Sequence, residues 1–168
     1  MRLAIIAPGS SGKNEASLFL RAEYGLRYRE STSEFAAHFV RPALARIGIQ
    51  YPSDRACWLD RRNHRQFWCD EIERFHKHDK ARMYRQMSET HDIIDGLRKR
   101  SDLAACRAEG IVELALWIDR PNCYDPTCEI TPADCDYVIR NHGTLEEFKV
   151  ELSKWAYPFL ASTARLSG

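Results

Sequence analysis

Leu3-Ala4-Ile5-Ile6-Ala7 is an unbroken apolar run halted by Pro8-Gly9, the pattern of a short strand covered on both faces in a parallel sheet. Beyond Gly12, the apolar positions Ala16, Leu18, Phe19 and Leu20 predict a helix to about Tyr24, with Gly25 as its stop. Leu26-Arg27-Tyr28 predicts a short second strand. Ser31-Thr32-Ser33 followed by Glu34 supplies capping residues for an amphipathic helix marked by Phe35, Phe39, Val40, Leu44 and Ile47, disturbed at Pro42 and ending near Gly48. From Trp58 to about Thr90, long polar side chains alternate with Phe67, Trp68, Ile72, Phe75, Met83, Tyr84 and Met87 near helical spacing, so residues 58–90 form a long or broken helical segment.

Asp92-Ile93-Ile94-Asp95-Gly96 predicts a third strand and its turn, and Ser101 to Ala108 a helix. Ile111 to Asp119 is a fourth strand and Tyr137-Val138-Ile139 a fifth. Thr144 opens a closing helix with Glu147 in the capping-box position and Leu145, Phe148, Leu152 and Trp155 on one face. The stretch from Pro121 to Pro132, rich in Pro, Cys and Asp, is a loop. Strands alternating with helices indicate an α/β fold with a largely parallel, five-stranded sheet.

At 168 residues the chain fits one domain, 1–168, with 44% hydrophobic residues to fill its core. Lys and Arg number 25 against 24 Asp and Glu, which excludes a simple polybasic tail and makes any anion binding local. A mean hydropathy of −0.50 fits a soluble protein, and no apolar run approaches the roughly 18 residues needed to span a membrane. The apolar start is too short for a secretory signal, so a cytoplasmic location is expected. In that compartment the six cysteines are expected as free thiols. Cys123, Cys128 and Cys135 lack the spacing of common zinc modules.

The strongest chemical signal is Ala7-Pro8-Gly9-Ser10-Ser11-Gly12-Lys13-Asn14, between the first strand and the first helix. Small residues let consecutive N–H groups close around an anion, the helix N-terminus adds its positive end, and Lys13 reaches terminal phosphates. Gly9, Ser10, Ser11, Gly12, Lys13 and Asn14 are therefore the candidate nucleotide-binding residues. Two positions depart from the G-x-x-x-x-G-K-[ST] pattern: Ala7 stands for its first Gly and Asn14 for the hydroxyl residue that usually contacts magnesium. Asn14 is an uncharged, poorer metal partner.

At these residues the chain resembles P-loop nucleoside and nucleotide kinases. Asp95-Gly96-Leu97-Arg98-Lys99-Arg100 looks like the Asp-Gly-x-x-Arg stretch of nucleoside monophosphate kinases, with Arg98 one residue early. The strand leading into Asn141-His142-Gly143-Thr144 is similar to the end of phage deoxynucleotide kinases. The resemblance implies a three-layer fold, ATP and Mg2+ as cofactors, Asp95 and Asn14 near the metal, and Asn141 and Gly143 bordering the adenine. It also makes 58–90 an acceptor-side helical arm and 121–132 a reduced lid. Ser31 to Glu34 resembles the turn that lines the acceptor pocket, and is equally a plain N-cap.

Phosphoryl transfer needs positioned positive charge more than covalent participation by the protein. Lys13, Arg98 and Arg100 are the first candidates, followed by Arg61, Arg62 and Arg65 on the arm, with Ser33 beside the acceptor. The arm's charges also read as a solvated helix face. An alcohol acceptor calls for a carboxylate, either Glu30 after the second strand or Asp95 after the third. A lid without arginines leaves the site open to a nucleotide within a polymer, with Trp58 and Trp68 as stacking surfaces or as packed core. The resemblance to short phage kinases points to phosphorylation of 5-hydroxymethyl-deoxyuridine in DNA, or else of a deoxynucleoside monophosphate. A nucleotide-binding module without transfer stands as a third reading, and a homodimer is left open.

Overall fold

The computed structural model describes residues 1–164. Four strands, β1 (Leu3–Ile6), β2 (Ile93–Asp95), β3 (Leu114–Asp119) and β4 (Tyr137–Arg140), form one sheet in the order β2-β1-β3-β4. Every pairing is parallel, with Leu3 opposite both Ile93 and Leu114, and Ile118 opposite Ile139. The apolar run of β1 is thus central and buried at all four positions. Alternation divides its side chains between two cores. Ala4 and Ile6 pack with Val40, Leu44, Trp68, Met87 and Leu103 on one face. Leu3 and Ile5 pack with Leu20, Phe148, Leu152 and Trp155 on the other.

The expected second strand, Leu26-Arg27-Tyr28, is not a sheet strand, which leaves four strands where five were expected. It runs along the open edge of β2, where the Arg27 carbonyl accepts from both Asp92 N (2.7 Å) and Ile93 N (3.2 Å). Arg27 N then turns to the Asp92 carboxylate at 2.8 Å, and Glu30 N to His91 Nε2 at 3.3 Å. Side chains take the donors a ladder would need, so pairing stops at one carbonyl. The alternation still reported burial, because Leu26 and Tyr28 join the second core while Arg27 is exposed.

Helix α1 (Lys13–Tyr24) follows the glycine-rich turn, and Gly25 N closes it by donating to the Arg21 carbonyl. The next expected helix divides into α2 (Thr32–Phe35), where Ser31 Oγ accepts from Glu34 N, and α3 (Ala37–Arg46), which contains Pro42. The 58–90 segment is broken. It comprises the end of α4 (Asp54–Leu59), a 3-10 turn (Arg61–His64), α5 (Arg65–Phe75) and α6 (Arg82–Ser88). Asp60 interrupts it first, accepting from Tyr51 Oη and Asn63 Nδ2. His76 does so again, its Nδ1 donating to the Lys80 carbonyl at 2.9 Å. After α7 (Arg100–Ala108) and β3, the 121–132 segment is irregular, followed by a short turn at Pro132–Asp134.

The closing helix α8 (Leu145–Ala164) begins with the expected box. Thr144 N donates to Glu147 Oε2 at 2.7 Å and Glu147 N to Thr144 Oγ1 at 3.3 Å. All six cysteines are unpaired. Among the described residues, no helix is long and apolar enough to cross a membrane, and no group of three His, Cys, Asp or Glu is arranged to hold a metal ion.

Candidate functional site

The turn from β1 into α1 is built around two left-handed residues, Ser10 (φ 62°) and Gly12 (φ 95°). Gly12 has no room for a side chain: a Cβ there would lie 2.7 Å from Asn141 Nδ2 and 3.3 Å from Phe148 Cε1. Asn141 is buried and its Nδ2 donates to the Ser11 carbonyl at 2.9 Å. The chain end of β4 therefore fixes the shape of the loop, and Asn141 meets loop backbone through its amide nitrogen. Gly12→Ala combines a left-handed backbone with displacement of this buried hydrogen bond. It is expected to cost about 2–4 kcal/mol and lower the melting temperature by roughly 5–15 °C. Thermal denaturation followed by circular dichroism checks this, and an unchanged midpoint refutes the tight approach.

Lys13 opens α1 and folds back across the loop, donating to the carbonyls of Ala7 (2.8 Å) and Pro8 (2.7 Å). Burial pushes its pKa down and the Arg98 charge adds to that, while Asp95 and Asp125 oppose it. Gly9, Ser10 and Asn14 are exposed; Ser11 is fully buried and its Oγ has no hydrogen-bond partner among the described residues.

Asp95 ends β2 and is only 1% exposed. Its Oδ2 accepts from Tyr28 Oη at 3.0 Å and its Oδ1 from Thr32 N at 3.1 Å. Burial raises its pKa above the ordinary carboxylate value, against these hydrogen bonds and Lys13. Burial, then the Asp95 charge, pushes the Tyr28 phenol far up, so Tyr28 stays the donor. Gly96 follows with φ 87°, and a Cβ there would collide with Thr32 Oγ1. That glycine lets the β2 turn press against α2.

Between this turn and the arm lies a cavity of about 520 Å3. Ser33, Arg61, Arg62, Arg65 and Arg98 all line it. Ser33 is held by Trp58 Nε1 at 3.0 Å, and two guanidinium groups lie over the Trp58 ring, Arg55 at 4.5 Å and Arg61 at 4.2 Å. Burial and then the neighbouring Arg62 push the Arg61 pKa down. Arg62 and Arg65 are exposed and have no acidic partner among the described residues. Arg98 is engaged by the 121–132 segment, donating to Asp125 and, at 2.6 Å, to Thr127 Oγ1. Trp68 is packed core, and it also lines the cavity.

Of the expected catalytic and acceptor residues, Lys13, Asp95, Arg100 and Glu30 do not line the cavity. Arg100 does not line the cavity; its Nε donates to both oxygens of Asp134 at 3.1 Å. Glu30 does not line it either, and its Oε1 is 3.5 Å from His38 Nε2. Gly143 lines a second cleft, of about 620 Å3, with Arg140, His142 and Phe148, the residue that also crowds Gly12. Tyr28, Asp125 and Thr127, which hold Asp95 and Arg98, carry no motif that would single them out in the sequence.

Asp95 is buried with both carboxylate oxygens accepting hydrogen bonds, and Asn14 is exposed in the first turn of α1.

No family model matches the chain, and no curated protein matches it. Among solved structures, it is similar to the shikimate kinase of Aquifex aeolicus vf5, with a TM-score of 0.52 and 13% identity over 100% of both chains. It is also similar to a sugar kinase from Janibacter sp. HTCC2649, with a TM-score of 0.50 and 17% identity over 95% of this chain and 96% of the other. The likeness is one of fold: a parallel-sheet α/β architecture, with four strands among the described residues rather than the expected five.

Proposed function

We propose that the chain is an ATP-dependent phosphotransferase working on a nucleotide acceptor, as one domain with 58–90 as its acceptor arm. The observations that support this reading are the loop from β1 into α1 that carries Lys13 and a cavity lined by Arg61, Arg62, Arg65 and Arg98. The loop N–H groups and Lys13 take the ATP phosphates, the cleft beside Gly143 takes its nucleoside, and the cavity takes the acceptor. Bound Mg2+ supplies charge neutralisation on the transferring phosphates. Lys13 exchanges its two carbonyl partners for phosphate oxygens, and Arg98 exchanges Asp125 and Thr127 for the acceptor side of the same group.

The acceptor in this reading is the hydroxymethyl group of 5-hydroxymethyl-deoxyuridine in DNA. The exposed, unpaired Arg62 and Arg65 at the rim suit the flanking phosphates of a polymer. A free deoxynucleoside monophosphate is the second reading, favoured by a cavity volume that encloses a single nucleotide. Asp95, beside the cavity-lining Gly96 and Thr32, receives the alcohol proton rather than Glu30.

Transfer of labelled phosphate from ATP with magnesium separates the readings. Label in DNA carrying the modified base supports the first, and label in monophosphates the second. Label in neither, with ATP still bound, leaves a nucleotide-binding module. In the active assay, Glu30→Gln is expected to retain transfer within about fivefold, the scale of a surface ion pair. A larger loss returns the base role to Glu30.

A further inference from the structure

The two edges of the sheet are finished differently. At β2 the segment Leu26-Arg27-Tyr28 runs along the strand, and the Arg27 carbonyl accepts from Asp92 N and Ile93 N. At the other edge, β4 pairs with β3 on one side, and no main-chain group of Tyr137–Arg140 bonds to any other described residue. Such an edge presents a row of N–H and C=O groups to a further strand, and a Lys, a Pro or a bulge commonly blunts it. Tyr137-Val138-Ile139 contains neither residue, and its register with β3 runs without a bulge.

Alternation along β4 sends its side chains to two faces. Ile139 is buried in the second core, and the Tyr137 ring lies 6.1 Å from Trp155 of α8. Asp136, Val138 and Arg140 share the other face and are all exposed, Val138 at 49%. The charges at the two ends of this face are opposite. An antiparallel strand of the same sequence centred on Val138 places Val138 against its counterpart and Asp136 against Arg140 of the second copy, once at each end. In-register parallel pairing would instead set acid against acid and base against base. The charges are available for such a joint: Asp136 Oδ2 accepts from Ala115 N (2.7 Å) and Arg107 Nη2 (2.8 Å), whereas its Oδ1 has no partner among the described residues, and neither has the Arg140 guanidinium an acidic one.

We infer that the β4 edge is an interface with a second copy of this chain, the two sheets joining edge to edge about a two-fold axis at Val138. A two-fold axis makes the joint antiparallel and self-complementary, which is the arrangement that the order Asp136, Val138, Arg140 satisfies. The inference does not rest on the phosphate chemistry assigned to the loop and the cavity.

Sedimentation velocity of the full chain from about 1 to 200 µM tests this, with a monomer–dimer equilibrium of micromolar dissociation constant expected for so short a joint. Raising the salt from about 0.05 to 0.5 M should weaken the dimer by about three- to tenfold, because an ion pair closes each end. Hydrogen exchange at the two ends of the concentration range should be slowed on dimerisation at the amides of β4. Arg140 also lines the cleft beside Gly143 and Val138 does not, so Val138 carries the decisive substitution. Val138→Lys sets two ammonium groups against each other across the axis and should weaken the dimer at least about tenfold. The side chain is half exposed, so the dilute variant should melt within about 3 °C of the unaltered protein. A single-chain species over the whole range overturns the inference, as does a dimer that Val138→Lys leaves intact, or one whose exchange protection lies outside β4. The concentration series and the exchange measurement need no variant, so a poorly folding substitution does not block the test.

Discussion

Lys13→Ala is expected to lower phosphoryl transfer by about a thousandfold while the protein stays folded. The size follows from the place of the charge. Lys13 is the cation at the start of α1, on a loop whose N–H groups share the same anion, and its partial desolvation strengthens what it does to a phosphate oxygen. Its ammonium donates to the Ala7 and Pro8 carbonyls, which a phosphate displaces. The structural cost is small because two opposing terms meet. Loss of those hydrogen bonds costs about 1 kcal/mol, and removal of a cation from the positive end of a helix returns about half of that. The melting temperature should therefore shift by no more than about 4 °C. Single-turnover transfer and thermal denaturation measured together check this. Transfer at the normal rate would remove Lys13 from the reaction, and a collapse in stability would make it a structural residue.

The sequence made the loop and the central sheet readable because each is a local pattern. An apolar run, small residues and a lysine in register lie within a dozen positions, and the structure puts them on β1, the turn and α1. The edge segment Leu26-Arg27-Tyr28 misled for a physical reason. Alternation records burial, which the segment has, whereas a strand also needs main-chain partners, and Asp92 and His91 supply side chains in their place. Arg98 and Arg100 stand two residues apart and looked equivalent. The start of α7 sends them in different directions, one to the cavity and the other to Asp134. Tyr28 and Asp125 matter through contacts across the fold, and no local pattern announces those.

Asp95→Asn is expected to abolish transfer to an alcohol acceptor, by about 100- to 10,000-fold, and at the same time to raise the melting temperature above pH 7. Burial holds the folded-state pKa of Asp95 above its unfolded value. Below the unfolded value, near 3.9, the group is neutral in both states and costs nothing. As pH rises through the folded value, ionisation favours the unfolded chain, so the native protein loses stability and the penalty then stays constant. Asparagine never ionises. Its Oδ1 can accept from Thr32 N, and Tyr28 Oη can turn to accept from the new amide, so neither partner is stranded. The stability advantage of the variant should accordingly be greatest at neutral to alkaline pH and shrink toward pH 4. Melting curves across that range, alongside transfer assays, decide the role of the carboxylate. A variant that is less stable at every pH would mean that Asp95 serves the fold by binding Tyr28 and Thr32. A variant that is more stable and inactive would mean that the charge is retained at the end of β2, against the stability of the protein, for the chemistry beside Lys13.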